Sequence, residues 1–240
     1  MREFKVDLHI HTCLSPCAEL EMSPRHIVRR AKERGLHLIG ICDHNSAANV
    51  PAMKKTAERE GLGVIGGMEV TSQEEVHVLA LFENDEQLFS LQEIVYEHLH
   101  GTNDEDLYGE QVIVNEKEEV IGFSKKLLIG ATDITIERLV ELIHERNGLA
   151  IAAHVDREGF GIIGQLGFIP AHLPLDALEL ADPANRHVIP PEYRGGVITA
   201  SDSHRLETIG NRYTTFVMDE MSLDEIRKSL AGTEGRTVCI

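Results

Sequence analysis

Short β-like runs alternate with helix-like runs along most of this 240-residue chain. The alternation predicts strands joined by crossover helices, which is the pattern of a parallel β/α fold. One helix is predicted from Pro24 to Arg34, between Ser23 and Gly35, and another from Thr135 to Arg146. The predicted strands, of which the last is the weakest, are Phe4–Ile10, Leu38–Cys42, Gly63–Met68, Val76–Phe82, Leu149–Ala153, Ala177–Leu180, Val197–Ala200 and Thr237–Ile240.

Side chains of the kind that bind metals stand at the ends of most of these predicted strands. In a β/α barrel the carboxyl ends of the strands share one face, and active sites form there. Ligand-type residues that are far apart in the sequence are therefore expected to converge on one place. These residues are His9, His11, Asp43, His44, Glu69, His77, His154, Asp202 and His204.

The spacing of the strand-end residues favours metal binding over burial alone. His9 and His11 alternate within a strand, so both imidazoles point to the same side and make a bidentate grip. The alternative is a pair of core histidines with satisfied hydrogen bonds. Asp202 and His204 repeat the spacing with mixed oxygen and nitrogen donors, which suit Zn, Mn or Fe. Glu69, at the centre of such a face, would bridge two ions.

Taken together, the motifs resemble those of the PHP family (polymerase and histidinol phosphatase domains). They are His-x-His-Thr, Asp-His-Asn, Gly-Met-Glu, a strand histidine, Ala-His and Asp-Ser-His, in the family's order from Asp7 to His204. The resemblance implies a distorted (β/α)7 TIM-like barrel, two or three divalent ions, and phosphoester hydrolysis by a metal-activated water. The ligands that it implies are His9, His11, His44, Glu69, His77, His154, Asp202 and His204.

The sequence departs from the family pattern just after the first histidine pair. Members with three metals often have a histidine or aspartate a few residues later, whereas this stretch contains no histidine. Cys17 stands at the corresponding spacing, with Glu19 as the alternative. A thiolate can bind Zn or Fe, and the neighbouring ions would lower the pKa of the Cys17 thiol. Otherwise Cys17 is a loop thiol without a partner.

Two arginines and two strand-end residues are candidates for handling the substrate. Arg157 and Arg205 follow His154 and His204 closely in sequence, and a guanidinium binds phosphate oxygens through paired hydrogen bonds. Either arginine is equally compatible with a solvated surface charge. Asp43 and His204 are the candidates for proton transfer during hydrolysis, although both are also candidate ligands.

The net charge of −17 shapes the expected partners. Such an acidic surface repels phosphate backbones, so we do not expect long nucleic acid to bind. The expected substrate is a small phosphorylated molecule, a phosphomonoester or nucleotide. An exonuclease or phosphodiesterase acting on short nucleic acids is one alternative. A non-catalytic metal-binding regulatory module is another. The sequence leaves the oligomeric state open.

The chain is expected to be a single domain spanning residues 1–240. Residues 83–133 interrupt the strand–helix alternation with an acidic helix and a hairpin, so we interpret them as an insertion that could serve as a lid. No apolar stretch is long enough to cross a bilayer, and four cysteines do not make a disulfide framework. A cytoplasmic enzyme with reduced thiols and no membrane partner is expected.

Overall fold

A computed structural model describes all residues from 1 to 240. The strands are β1 (Arg2–Ile10), β2 (Leu38–Ile41), β3 (Gly63–Thr71), β4 (His77–Phe82), β5 (Val112–Val114), β6 (Val120–Phe123), β7 (Leu149–Ala152), β8 (Ala177–Leu180), β9 (Gly196–Thr199), β10 (Thr214–Met218) and β11 (Thr237–Cys239). The helices are α1 (Pro24–Glu33), α2 (Val50–Glu58), α3 (Asp85–His98), α4 (Glu105–Tyr108), α5 (Ile136–Glu145), α6 (Ile162–Leu166) and α7 (Leu223–Ala231). Two 3₁₀ turns cover Pro183–Val188 and Leu206–Thr208.

Nine strands form one curved sheet in the order β11-β10-β1-β2-β3-β4-β7-β8-β9. β1, β2 and β3 are parallel to one another, as are β7, β8 and β9. The predicted α/β class with a distorted TIM-like barrel is therefore confirmed. The structure differs from a fully parallel sheet at β4, which runs antiparallel to both neighbours, and at the edge formed by β10 and β11, where both pairings are antiparallel. Because β4 is reversed, its first residue, His77, lies at the face where the parallel strands end.

The long first strand nearly closes the sheet into a barrel. Its beginning pairs with β10, from Arg2 opposite Met218 to Val6 opposite Thr214. Its end pairs with the segment that follows β9: the amide of His11 donates to the carbonyl of Ser203 at 3.0 Å. The same strand thus holds the first pair of histidines beside the loop that contains Asp202.

Two apolar clusters stabilise the sheet from its two sides. A cluster of 37 buried residues packs the sheet against the surrounding helices, α1, α2, α3 and α5 among them. A second cluster of 18 residues lies on the inner face and includes side chains of α7. Gly40 allows β1 and β2 to approach closely, because a Cβ there would lie 2.3 Å from the carbonyl oxygen of Leu8. β1 has an irregular register beside this contact, between Asp7 and Ile10.

The predicted helix boundaries agree closely with the structure. Thr135 caps α5 by accepting a hydrogen bond from the amide of Arg138. Ser23 precedes α1 but makes no side-chain cap, because its hydroxyl donates to Glu118 of the β5–β6 hairpin instead. β10 was not predicted from the sequence. No helix in the structure has both the length and the apolar character needed to cross a membrane.

Residues 83–133 contain α3, α4 and the β5–β6 hairpin. α3 buries Leu88, Leu91 and Val95 against the sheet. The hairpin contacts the loop that follows β1, where the amide of Val112 donates to the carbonyl of Cys13 at 3.2 Å. The segment therefore lies next to the end of the barrel where the candidate ligands are gathered.

Candidate metal centre

Glu69 lies at the middle of a cluster of buried histidines. The Oε1 atom of Glu69 is 2.7 Å from His77 Nδ1, 3.1 Å from His154 Nε2 and 3.5 Å from His9 Nε2. Its Oε2 atom is 3.1 Å from His44 Nδ1 and 3.4 Å from His11 Nε2. The two carboxylate oxygens therefore face two different groups of histidines, which is the arrangement of a bridging ligand.

Asp202 completes the cluster beside the first histidine pair. Its Oδ1 atom is 3.3 Å from His9 Nε2 and 3.2 Å from His11 Nε2. Those two Nε2 atoms are themselves 3.1 Å apart. The His204 ring stacks on the His11 ring with centroids 4.0 Å apart. The structure thus brings all eight ligand candidates from six strand ends to one place.

Two buried atoms of the cluster, His44 Nδ1 and Asp202 Oδ1, have no hydrogen-bond partner although other ligand-type atoms lie 3.1–3.3 Å away. Buried polar atoms normally have a partner, so this arrangement fits a divalent cation. The Nδ1 atom of His154 is also unpartnered, but His154 faces Glu69 through Nε2. Three overlapping groups of ligand atoms lie close enough to hold an ion: His9, His11 and Asp202; His44, Glu69 and His77; and His11, His44 and His204.

The electrostatics of the cluster follow from the burial of opposite charges together. Burial raises the pKa of Glu69, but the surrounding histidines, chiefly His77 and His9, lower it well below its ordinary value. Burial lowers the pKa of His11, but Asp202 and Glu69 raise it to about 9. Burial, with His11 nearby, lowers the pKa of His204 to about 3. The carboxylates are therefore ionised at neutral pH and attract cations.

Glu179, in the middle of β8, supports the cluster and was missed from the sequence. Its carboxylate lies 3.1 Å from His9 Nδ1 and accepts a hydrogen bond from the amide of His154. A carboxylate at one ring nitrogen fixes the tautomer and leaves the other, Nε2, for a metal. The available signal in the sequence was a single glutamate inside the apolar run Ala177–Leu180, because charged residues within a core strand are rarely buried without a partner.

Asp43 lies behind the cluster and holds the loop that follows β1. It accepts hydrogen bonds from the amide and hydroxyl of Thr12, each at 2.7 Å, and from the Ser15 hydroxyl at 2.6 Å. Ser15 Oγ in turn lies 2.9 Å from His11 Nδ1. This series of hydrogen bonds from Asp43 through Ser15 positions His11, as Glu179 positions His9. The part of Asp43 in proton transfer stays a prediction.

The other predicted residues lie at the rim. Arg157 donates to Asp202 Oδ2 at 2.6 Å, so its guanidinium is beside the cluster. Arg205 is largely exposed and pairs with Glu19 at 3.1 Å. Cys17 has an exposed thiol, and its contact with His44 is among the causes that raise the pKa of that histidine. Metal binding by Cys17 and substrate binding by Arg205 stay predictions.

The profile of the PHP domain family matches residues 7–158. The chain belongs to the PHP domain family. A second profile, described as PHP-associated, matches residues 192–234, the part that contains Asp202 and His204. The predicted family is therefore confirmed.

Curated relatives match part of the chain. The 5'-3' exoribonuclease of Haemophilus influenzae is 30% identical over 80 residues, which is 32% of this chain and 28% of the relative. The phosphoribosyl 1,2-cyclic phosphate 1,2-diphosphodiesterase of Eggerthella lenta is 29% identical over 80 residues, or 31% and 29% of the two chains. The matched part is thus less than a third of either relative's length.

Solved structures match almost the whole chain. The lesion-specific endonuclease Q of Pyrococcus furiosus superposes with a TM-score of 0.72 at 21% identity, covering 99% of this chain and 58% of that one. An endonuclease Q complex holds a 27-mer duplex with an abasic lesion at its active site, with a TM-score of 0.66, 20% identity and coverages of 98% and 58%. These likenesses show a shared fold.

The expectation of a small phosphorylated substrate, with long nucleic acid an unlikely partner, is wrong. Relatives by sequence and by fold are named as an exoribonuclease and as an endonuclease bound to duplex DNA. The physical reason is that a net charge averages over the whole surface. A metal cluster supplies positive charge locally, at the place where a phosphate binds.

Proposed function

We propose that this chain is a metal-dependent phosphoesterase that cleaves phosphodiester bonds in nucleic acid. The observation that carries the proposal is the position of Glu69, whose two oxygens face two separate groups of buried histidines. That arrangement suits a pair of divalent ions, and paired ions are typical of enzymes that act on phosphate esters. Relatives named as nucleases supply the substrate class.

The clustered ligand residues fit two ions, and some of them could also hold a third ion. His9, His11 and Asp202 would hold one ion, and His44 and His77 a second, with Glu69 between them. Bound ions would hold phosphate oxygens and lower the pKa of the attacking water. A third would be held by His11, His44 and His204, with the Cys17 thiol beside His44 as a further candidate.

The protein's own groups orient the ligands and the substrate. Glu179 and Ser15 hold the Nδ1 atoms of His9 and His11, so both Nε2 atoms point into the cluster. Arg157, half exposed beside Asp202, is placed to bind a phosphate oxygen. His204 is half-buried, and its lowered pKa makes it neutral but only weakly basic at pH 7, which suits a metal ligand better than a proton acceptor.

A cleavage assay tests the proposal. The protein is purified, its metal content is measured, and samples loaded with Mn, Fe or Zn are given end-labelled RNA, single-stranded DNA, and duplex DNA with an abasic site. We expect cleavage of at least one of them, and almost none by Glu69→Gln. Stepwise products from the 5' end would indicate an exonuclease, and one internal cut an endonuclease. A wild type with two ions per chain that cleaves none of them would refute the proposal.

We also propose that residues 1–240 form one domain, with residues 83–133 an insertion beside the site. Support comes from the contact of Val112 with Cys13, in the loop that follows the first histidine pair. A single domain predicts one cooperative thermal transition monitored by circular dichroism. Two resolved transitions would contradict it.

A further inference from the structure

The ring of Phe160 lies at the edge of the metal centre. It stacks on the imidazole of His77, with centroids 4.5 Å apart and planes 18° from parallel. His77 in turn lies 2.7 Å from Glu69. Phe160 nevertheless keeps 43% of its surface exposed, so it is not a core residue. A large apolar ring is thus exposed to solvent, with only His77 between it and the carboxylate of Glu69.

The backbone holds this ring in place at a conformational cost. Phe160 has a φ of +61°, which bulky residues rarely adopt. The amide of His77 donates to its carbonyl at 2.9 Å, and the following Gly161 is packed so closely that a Cβ would lie 2.5 Å from the carbonyl oxygen of Arg157. Strained residues held by their surroundings occur mostly at functional sites.

The same loop contains Arg157, the residue proposed to bind a phosphate oxygen. It begins at His154, a member of the cluster, and includes Arg157, whose guanidinium reaches Asp202. Arg157 is three residues before Phe160. One short loop therefore presents a metal ligand, a cation and a flat apolar surface. A nucleotide has the matching parts: a charged phosphate and, one sugar away, a flat base.

We propose that Phe160 is a stacking platform for the nucleobase next to the phosphate that is cleaved. The inference rests on the proposed function and deepens it, because it makes a base, rather than a sugar phosphate alone, part of the recognised substrate. Every base has a π-face, so stacking on Phe160 tolerates any sequence. Stacking would give a chain of net charge −17 affinity for nucleic acid that does not depend on positive charge.

The first test compares a short oligonucleotide that has a base beside the cleavable phosphate with one that has a tetrahydrofuran abasic residue there. The wild type should prefer the base-bearing substrate in kcat/KM by about tenfold, within the range for stacking of one base. Phe160→Leu should lose most of this preference, whereas Phe160→Trp should keep it. Phe168→Leu is the matched control, since Phe168 is 62% exposed and stacks on none of the cluster histidines.

An equal loss on both substrates in Phe160→Leu would mean that the ring only shields His77 from water, and would overturn the proposal. A wild type that cleaves neither substrate would instead count against the proposed function. A binding measurement separates the two failures. The chain contains no tryptophan, so Phe160→Trp introduces a single one.

Its fluorescence is titrated with phosphorothioate versions of both oligonucleotides, which resist hydrolysis. A base that stacks on the indole should quench the emission, at concentrations about tenfold lower than for the abasic version. Quenching that is the same for both, or absent for both, would reject the platform whether or not cleavage is seen.

Discussion

Two networks of charged side chains in this molecule, each built around a buried glutamate, are balanced in different ways. Near the C-terminus, Arg236 donates to both carboxylate oxygens of Glu225 at 2.9 and 3.1 Å and to Asp219 at 2.7 Å. We call these three residues the C-terminal ion-pair network. In the metal centre, Glu69 and Asp202 face histidines, and Arg157 reaches only the outer oxygen of Asp202. Arg236 thus pairs with both carboxylates of the first network, whereas in the second Arg157 contacts one oxygen of Asp202 and leaves Glu69 facing imidazoles alone.

The difference separates a structural feature from a functional one. A buried carboxylate that is paired and hydrogen-bonded by the protein needs nothing from solvent. A cluster of carboxylates and imidazoles must take up protons or metal ions to balance its charge, and such perturbed groups are typical of functional sites. Substitutions in the metal centre should therefore change activity and metal content. Substitutions in the C-terminal ion-pair network should change stability alone.

The largest effect is expected for Glu69→Gln. The amide keeps the shape of the side chain but removes the charge that faces both histidine groups, so phosphodiester hydrolysis should fall by on the order of a thousandfold. Metal content measured by mass spectrometry should also fall. Glu225→Gln is the matched control, in which metal content should be unchanged. A Glu69→Gln protein with full metal content and near-normal rate would show that Glu69 does not bridge ions.

Removal of metal should have the next largest effect, on stability. Ions that bind only the folded chain stabilise it by roughly 4 kcal/mol at a thousand times their dissociation constant. For a chain of this size, chelation should therefore lower Tm by roughly 8–16 °C, measured by differential scanning fluorimetry. Arg236→Met should lower Tm in both the loaded and the chelated protein and leave the difference between them intact. A Tm that does not respond to chelation would contradict the comparison.

Glu179→Gln should have an intermediate effect. The glutamine keeps a hydrogen bond to the backbone of His154 but loses the charge that holds His9, so metal affinity should fall by about 10–100-fold. Competition with a coloured chelator measures this change. Activity should return when metal is added in excess, since Glu179 positions a ligand and does not touch the substrate. A rate that stays low at saturating metal would assign Glu179 a more direct part.

Much of the metal centre could be predicted from the sequence because its signals are local. His9 and His11, for example, are adjacent on one strand face, and the meeting of strand ends in a barrel supplies the rest of the argument. Glu179 has no such local partner. Its role depends on β8 facing β1 across the barrel, and a single glutamate in an apolar run does not indicate which strand it faces.

The remaining errors also come from long-range features. The reversed direction of β4 and the pairing of β10 with β1 are set by contacts distant in sequence, which the local apolar pattern does not contain. The wrong expectation about nucleic acid came from treating the net charge as a property of the site. Under the proposed function, the relevant charges would be those of Arg157 and of the ions that Glu69 and its histidines would bind.

The smallest effect is expected in the C-terminal ion-pair network. Hydrogen bonds from Arg236 and from the Asp219 amide lower the pKa of Glu225 to about 2, from an ordinary value of 4.5. A lowered pKa contributes stability that is present above pH 4.5 and is lost as the pH falls toward 2. Glu225→Gln should therefore lower Tm by a few degrees at pH 7, and the difference in Tm from the wild type should shrink steadily between pH 5 and pH 2.

Chelated samples should show the same difference in Tm, because this network takes no cation from solvent. A gap that instead varied with metal loading would mean that the two networks are coupled through the barrel.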